Sequence, residues 1–432
     1  MVVITPMRNR ILRAMALGLA AMAPANAGAA EVTPVLSADA PTGRAFSLAL
    51  DFEHQSRRGP LKRDVIENGS SILRSDLMYR ESRDRLRVRS AGALYQDLSA
   101  FAALSLALAD DRALDFDHRA GNCGGVPNSC VTQNSSSLLR DGIFPGYGAG
   151  TFGLNAETGQ PFASPSGRVF QGPTRKGVEY LSLGLSYGIH NQHRDATKPT
   201  WVVSAETRLS VGTDQRFDPG KPTANRGVGL GYHQLILSSV FSKDLSGIEP
   251  SMGVWLMEPI LTSSSVYQDT GLAVSTPQRR LGGHVGLEVE IWNDPAGLHR
   301  VAFEFHGALE FRFRGLAQNE LWEALSGDSR CTTDATRCRA GIDTDRTNDG
   351  KADPHPGVVV SPAYGVFGGD VALAAKIYRY ARLRAVFGMT VEQQHTLTDG
   401  SSKDSAYDQE GRYFHSEAMV GWRLLCAGGA MF

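Results

Sequence analysis

The sequence predicts an all-β fold, a single transmembrane antiparallel up-and-down β-barrel of about 12 strands with long extracellular loops and short periplasmic turns. Three observations carry this expectation. First, long segments alternate between apolar and charged residues. In "VAFEFHGALEFRFRG", residues 301–315, Val301, Phe303, Phe305, Leu309, Phe311 and Phe313 share one face. Glu304, His306, Glu310, Arg312 and Arg314 share the other. Successive side chains of a strand point to opposite sides, so this segment asks for hydrocarbon on one side and water on the other. Second, that run is far longer than the roughly 5–6 residues usual in soluble sheets. Third, short and long connections alternate along the chain, which sorts turns to one end of the sheet and loops to the other.

The N-terminus reads "MVVITPMRNRILRAMALGLAAMAPANAGAAEV". Arg8, Arg10 and Arg13 precede an apolar stretch from Leu12 to Met22, and Ala25-Asn26-Ala27 follows. These are the three regions of a secretory signal peptide, expected to span 1–27 with cleavage after 27 or 29. The apolar run is too short for a spanning helix, which needs about 20 residues. No later stretch offers 18 consecutive apolar residues, so a membrane reading has to use strands.

The barrel is expected over 44–432. Phe46, Leu48, Leu50 and Phe52 line one face of the first strand, and a polar loop is expected at about 56–70. Segment 71–95 sets Leu86 and Val88 against Arg85, Arg87 and Arg89, and 98–110 follows a tight turn near 96–98. After a long loop, 111–175, come segments 176–191 and 199–212, the latter with Trp201, Val203 and Leu209 against Glu206 and Arg208. Strands are expected next at 226–242 and 248–262, joined by "KDLSG". Segment 279–293 sets Leu281, Val285, Leu287 and Val289 against His284, Glu288 and Glu290. The turn "DPAG" leads into 298–314, and a second long loop covers 315–357. Strands at 358–378, 381–396 and 412–432 finish the chain; Arg382, Arg384 and Glu392 oppose Leu383, Phe387 and Val391. With an even strand number both chain ends fall on the short-turn, periplasmic side.

The opposite faces then have distinct surroundings. The apolar one meets outer-membrane lipid. The other lines a lumen with Arg87, Arg89, Glu206, Arg208, Glu288, Glu290, Glu304, His306, Glu310, Arg312, Arg314, Arg382, Arg384 and Glu392. Two readings of that lining stand. The charges line a narrow water-filled pore, the favoured reading, or they pair across a narrow barrel and fill it. Arg382 and Arg384 are the expected anion-facing patch.

Charge is balanced, 44 basic against 45 acidic residues, and no basic stripe points to nucleic acid. Cys123 and Cys130 share their spacing with Cys331 and Cys338, and export makes two local disulfides the expected outcome. The alternative, a metal held by the four, does not fit zinc-site spacings. Cys426 is left over. "DTDRTNDGKAD", 343–353, places Asp345, Asp349 and Asp353 around Gly350 and resembles EF-hand-type calcium loops, but Thr347 and Pro356 depart from the pattern. Otherwise no cofactor is expected. "GLSYG", 184–188, matches a nucleophile elbow in letters but lies mid-strand, and "GVGLG", 227–231, is read as a glycine-bearing strand.

The final strand, ending in Phe432, resembles the C-terminal signal of outer-membrane proteins, and the resemblance implies handling by the barrel assembly machinery. The chain as a whole resembles Gram-negative outer-membrane β-barrel channels of the porin-like kind. "YLSLGLSYGI" and the hairpin after it are similar to the phenol-degradation MetA-type barrel family, whose members are presumed transport proteins. The resemblance implies passive or facilitated passage of a small polar solute, or export of a polysaccharide. The long loops are then a constriction or gate, and no enzyme is expected. The rivals are a surface-binding or adhesion barrel with a plugged lumen, and an outer-membrane phospholipase-like enzyme.

Overall fold

The computed structural model describes residues 46–117, 151–155, 158, 160–163, 167–192, 194–216, 225–262, 265–268, 274–294, 299–323, 358–378, 381–397 and 414–431. Among them twelve long strands form the wall. They are β1 (Phe46–Glu67), β2 (Ser70–Tyr95), β3 (Leu98–Phe116), β4 (Arg175–His190), β5 (Thr200–Leu209) and β6 (Tyr232–Ser242). Then follow β7 (Ile248–Leu261), β8 (Arg280–Asn293), β9 (His299–Arg312), β10 (Tyr364–Ile377), β11 (Ala381–Glu392) and β12 (Met419–Met431). Each pairs antiparallel with the next in sequence. β12 pairs back onto β1, with Leu50 opposite Gly428 and Gln55 opposite Arg423. The sheet therefore has no free edge, which a strand protein needs where no water is present to satisfy its amides.

The alternation fixes which side is which. Leu183, Leu237, Val254, Val285, Leu309, Leu373, Phe387 and Leu424 are exposed on the outside. Inward residues of the same strands, such as Ser182, Glu288, Glu304 and Ala372, are buried. A soluble protein arranges these types the other way round, so the wall is built for lipid.

Several expected boundaries move. Segment 56–70 is not a loop. β1 runs on to Glu67 and returns at once through Asn68 and Gly69, with φ of 52° and 78°. Two successive left-handed residues are what a two-residue hairpin demands, and Asn-Gly supplies them at low cost. β1 and β2, of 22 and 26 residues, thus run well past the 9–11 or so that hydrocarbon requires. Their outer parts turn Leu61, Leu77 and Tyr79 inward. Within the expected loop 111–175, β3 continues to Phe116, and Arg168–Gln171 adds a short strand to its end at Ala113–Asp115. Residues 225–231, expected to begin a strand, are irregular: Gly229 bridges to Asp214, and β6 starts at Tyr232.

At the other end the turns are tight. Gln96 and Ser246 take positive φ to make them. Asp97 ties two turns together, accepting from Asn191 Nδ2 at 3.0 Å and Arg194 Nη1 at 2.7 Å.

The outer half of the interior is filled. Gly315–Gln318 pairs with Val358–Ser361 as a separate small sheet. One apolar cluster joins Leu321, Trp322 and Val359 to Leu61, Leu77, Tyr79, Leu114, Phe116, Val169, Phe170, Leu397, Phe414 and Met419. A second joins Leu316, Val358 and Val360 to Tyr232 and Tyr267. Residues 315–323 of the loop expected at 315–357, and 358–361, expected to begin the strand 358–378, therefore fold into the barrel as a plug, and the wall strand starts only at Tyr364.

Candidate functional site

The site is the charged interior and the plug above it. On β2 the spacing of "RDRLRVR" puts Arg83, Arg85, Arg87 and Arg89 on one inward line. Arg83 and Arg85 share a partner on β4, Glu179, the extra residue of a β-bulge, because Tyr180 faces Ser105 and Val178 faces Leu106. Freed from the pleat, Glu179 takes Arg85 Nε at 2.8 Å, Ser105 Oγ at 2.5 Å and the Arg83 guanidinium. Arg85 also reaches Glu53 at 3.0 Å. Arg87 lies 3.9 Å from Glu206, whose nearer partner is Arg208 at 2.7 Å. Arg89 stacks over the Phe101 ring at 4.7 Å, and among the described residues no carboxylate lies within salt-bridge distance of it.

The opposite wall is built from β7 to β12. Arg300 holds Glu288 at 2.6 Å and Glu290 at 2.9 Å. Glu304, fully buried, accepts from Arg384 at 3.0 and 2.5 Å. His306 Nδ1 lies 2.8 Å from Asp370, whose other oxygen takes Arg423 Nη2 at 2.5 Å. Two glycines make room for rings here. Trp255 lies flat over Gly282, and His306 over Gly286, where a Cβ would meet its ring at 2.6 Å. The cavity between these groups has a volume of about 470 Å³ and is lined by Trp255, His284, Glu304, His306, Asp370 and Arg384 among others.

Further out, Glu392 joins Arg57 at 2.6 Å and Arg312 at 3.8 Å, and Arg312 takes Glu310 at 2.5 Å. The plug is clamped at this level. Glu320 meets Arg57, Asn319 donates to the Leu397 carbonyl, and Gln318 Nε2 donates to the Gln215 carbonyl at 2.7 Å. Deeper, Glu323 accepts from Arg175 Nε at 2.6 Å. Trp322 is fully buried, with the Arg175 and Arg112 guanidiniums over its ring at 4.8 and 5.7 Å. Burial pushes the Glu323 carboxyl above the usual range, with Arg175 and Arg112 pulling it down. Burial likewise pushes the Tyr267 phenol well up.

Most of the lumen residues expected from the sequence thus sit on inward faces, and many meet one another. Arg314 does not: β9 ends at Arg312, and Arg314 is exposed beyond it. Arg382 lies opposite Lys376 on the neighbouring strand, so its nearest register partner is another cation. The sequence alone does not single out Arg57, Arg175, Asp370 or the plug residues. Asp370 shares a period-two register with Lys376 and was in that sense legible, whereas a plug contact leaves no local pattern. His54 is an outward exception to the apolar face: in register with Phe52, it lies 2.5 Å from Asp84 and beside Trp422, ring centroids 5.0 Å apart. His233 is apart from His284 and His306, its Nδ1 accepting from the Ser210 amide at 3.1 Å. Cys123, Cys130, Cys331 and Cys338, and the candidate calcium ligands Asp345, Asp349 and Asp353, lie outside the described residues. So does the expected signal peptide.

No family model and no curated protein matches the chain. Among solved structures it is similar to the COG4313 outer membrane channel from Pseudomonas putida F1, at 11% identity, covering 93% of this chain and 100% of that one with a TM-score of 0.38. A Pseudomonas aeruginosa FadL homologue matches at 7% identity, 92% coverage of both chains and a TM-score of 0.32. The translocator domain of the autotransporter NalP from Neisseria meningitidis matches at 9% identity, covering 99% of this chain and 95% of that one, TM-score 0.29. The barrel has three features of its own: closed hydrogen bonding, apolar side chains outside and ionised ones inside. With those three features, the chain is a multi-pass β-barrel of the Gram-negative outer membrane.

Proposed function

We propose that the barrel carries small polar solutes across the outer membrane, with the plug formed by 315–323 and 358–361 as its gate. The observation that carries this reading is a charge-lined interior, holding a cavity of about 470 Å³, inside a wall whose outer surface is apolar. A barrel that served as an anchor for surface loops has no need to keep so many guanidiniums and carboxylates out of bulk water, since each costs desolvation unless paired. Twelve strands lie between the side-chain-filled eight and the open sixteen, and the plug fills the outer half, which supports small solutes over a polymer. The reading assigns the chain no catalytic chemistry. Lipid covers its outer face, and folding through the barrel assembly machinery belongs to the same reading.

Planar-bilayer recording tests it. The purified barrel and a variant with 315–357 replaced by a short linker are compared. Discrete current steps, rare in the first and frequent in the second, are the expected result. Silence from both, with the barrel folded, contradicts passage and favours the plugged adhesion barrel; phospholipid hydrolysis favours the enzyme.

A further inference from the structure

The interior is formally close to balanced, but its two signs are not equally reachable. In most of the guanidinium–carboxylate pairs on the inward face, the carboxylate lies beneath and the guanidinium on top. Side-chain exposure is 29% for Arg384 against 0% for Glu304, and 41% for Arg423 against 12% for Asp370. It is 26% for Arg87 against 13% for Glu206, and 24% for Arg85 against 2% for Glu179. Arg300 and Arg312 are about as exposed as Glu290 and Glu310. The order is reversed at Arg175 and Glu323, which belong to the plug. The cause is geometric. A carboxylate sits two or three bonds from its strand and is overlaid by the long guanidinium stem that reaches across to it. Arg89 adds a cation held by an aromatic face and, among the described residues, by no carboxylate within salt-bridge distance, while Asp51, opposite Arg87, is a partly exposed acid of that wall, as is Glu53.

We propose that, if the barrel passes solutes as argued above, it selects small anions over cations, and carboxylates in particular. A solute in the interior meets N–H donors first. A guanidinium presents them as a planar fork that matches both oxygens of a carboxylate, and Arg85 to Arg89 and Arg384 to Arg423 supply such forks on neighbouring parts of the wall. Cations find the acids already covered. The selectivity arises from burial rather than from net charge, so counting charged residues does not reveal it.

Reversal potentials across a salt gradient test this, first in potassium chloride and then in potassium acetate. The full barrel is measured beside Trp322→Ala, which loosens the plug. The expected potential has the sign of an anion-preferring pore in both salts. Arg89→Gln combined with Arg423→Gln is expected to shift it toward zero. Among the described residues Arg89 has no salt-bridged carboxylate to leave behind, and Asp370 keeps His306, so the pair is compatible with folding; retained heat-modifiable mobility on gels confirms it. A potential at zero or of cation sign overturns anion selection while leaving passage intact, as does a double variant with unchanged selectivity. Absence of current through both forms, with the barrel folded, overturns passage and anion selection together.

Discussion

Trp322→Ala is the sharpest perturbation of the gate. The indole is fully buried among the outer-half apolar residues, and two guanidiniums stack on it. Truncating a buried Trp typically costs about 3–5 kcal/mol, of which each cation–π contact supplies on the order of 0.5–2 kcal/mol. The wall does not depend on it. Every barrel strand is hydrogen-bonded to its two neighbours, and the plug's small sheet is separate from theirs. The loss therefore falls on the seating of the plug. Taking the low end, about 3 kcal/mol, the ratio of unseated to seated plug rises roughly 100-fold. Single-channel recording reads this as a rise in open probability of about two orders of magnitude, up to saturation, at unchanged unit conductance. The reasoning is refuted if the variant barrel is folded and its open probability stays within a few-fold of the original. A changed unit conductance with unchanged gating would place Trp322 in the path rather than in the gate.

Other outcomes follow from the same geometry. Arg384→Gln leaves Glu304 buried with, among the described residues, the His306 ring at 3.8 Å beside it, and is expected to lower barrel stability by about 3 kcal/mol; urea unfolding into vesicles showing under 1 kcal/mol would contradict the buried pair. Phe305→Arg puts a charge on the exposed lipid face of β9 and should cost about 2–4 kcal/mol in the same assay, whereas a neutral result would place that face in water. The seated plug holds Glu323 with a raised pKa, so seating takes up a proton and strengthens as pH falls into the range between the ordinary Glu value and the raised one. Open probability should accordingly fall as pH is lowered toward the ordinary Glu range, and Glu323→Gln should flatten that dependence; an opening on acidification would contradict it.

Much of this architecture is written locally. A period of two needs no knowledge of the rest of the chain, so Phe305 beside Glu304 and Leu383 beside Arg384 already determine an amphipathic wall, and repetition of that pattern determines a barrel. The turns were legible for the same reason. Asn68-Gly69 was too, and taking the polar residues around it for a loop overlooked the strongest hairpin signal in the segment. The tertiary structure alone decided the interior. That Arg384 covers Glu304 from eighty positions away, that a bulge swings Glu179 under Arg83 and Arg85, and that Trp322 comes back from between two wall strands to fill one end of the interior depend on which side chains meet across a closed sheet. Strand alternation says which face a charge is on. It is silent on which charge ends up beneath another, because that is set by reach and depth in three dimensions, and those decide what a solute inside the barrel would touch.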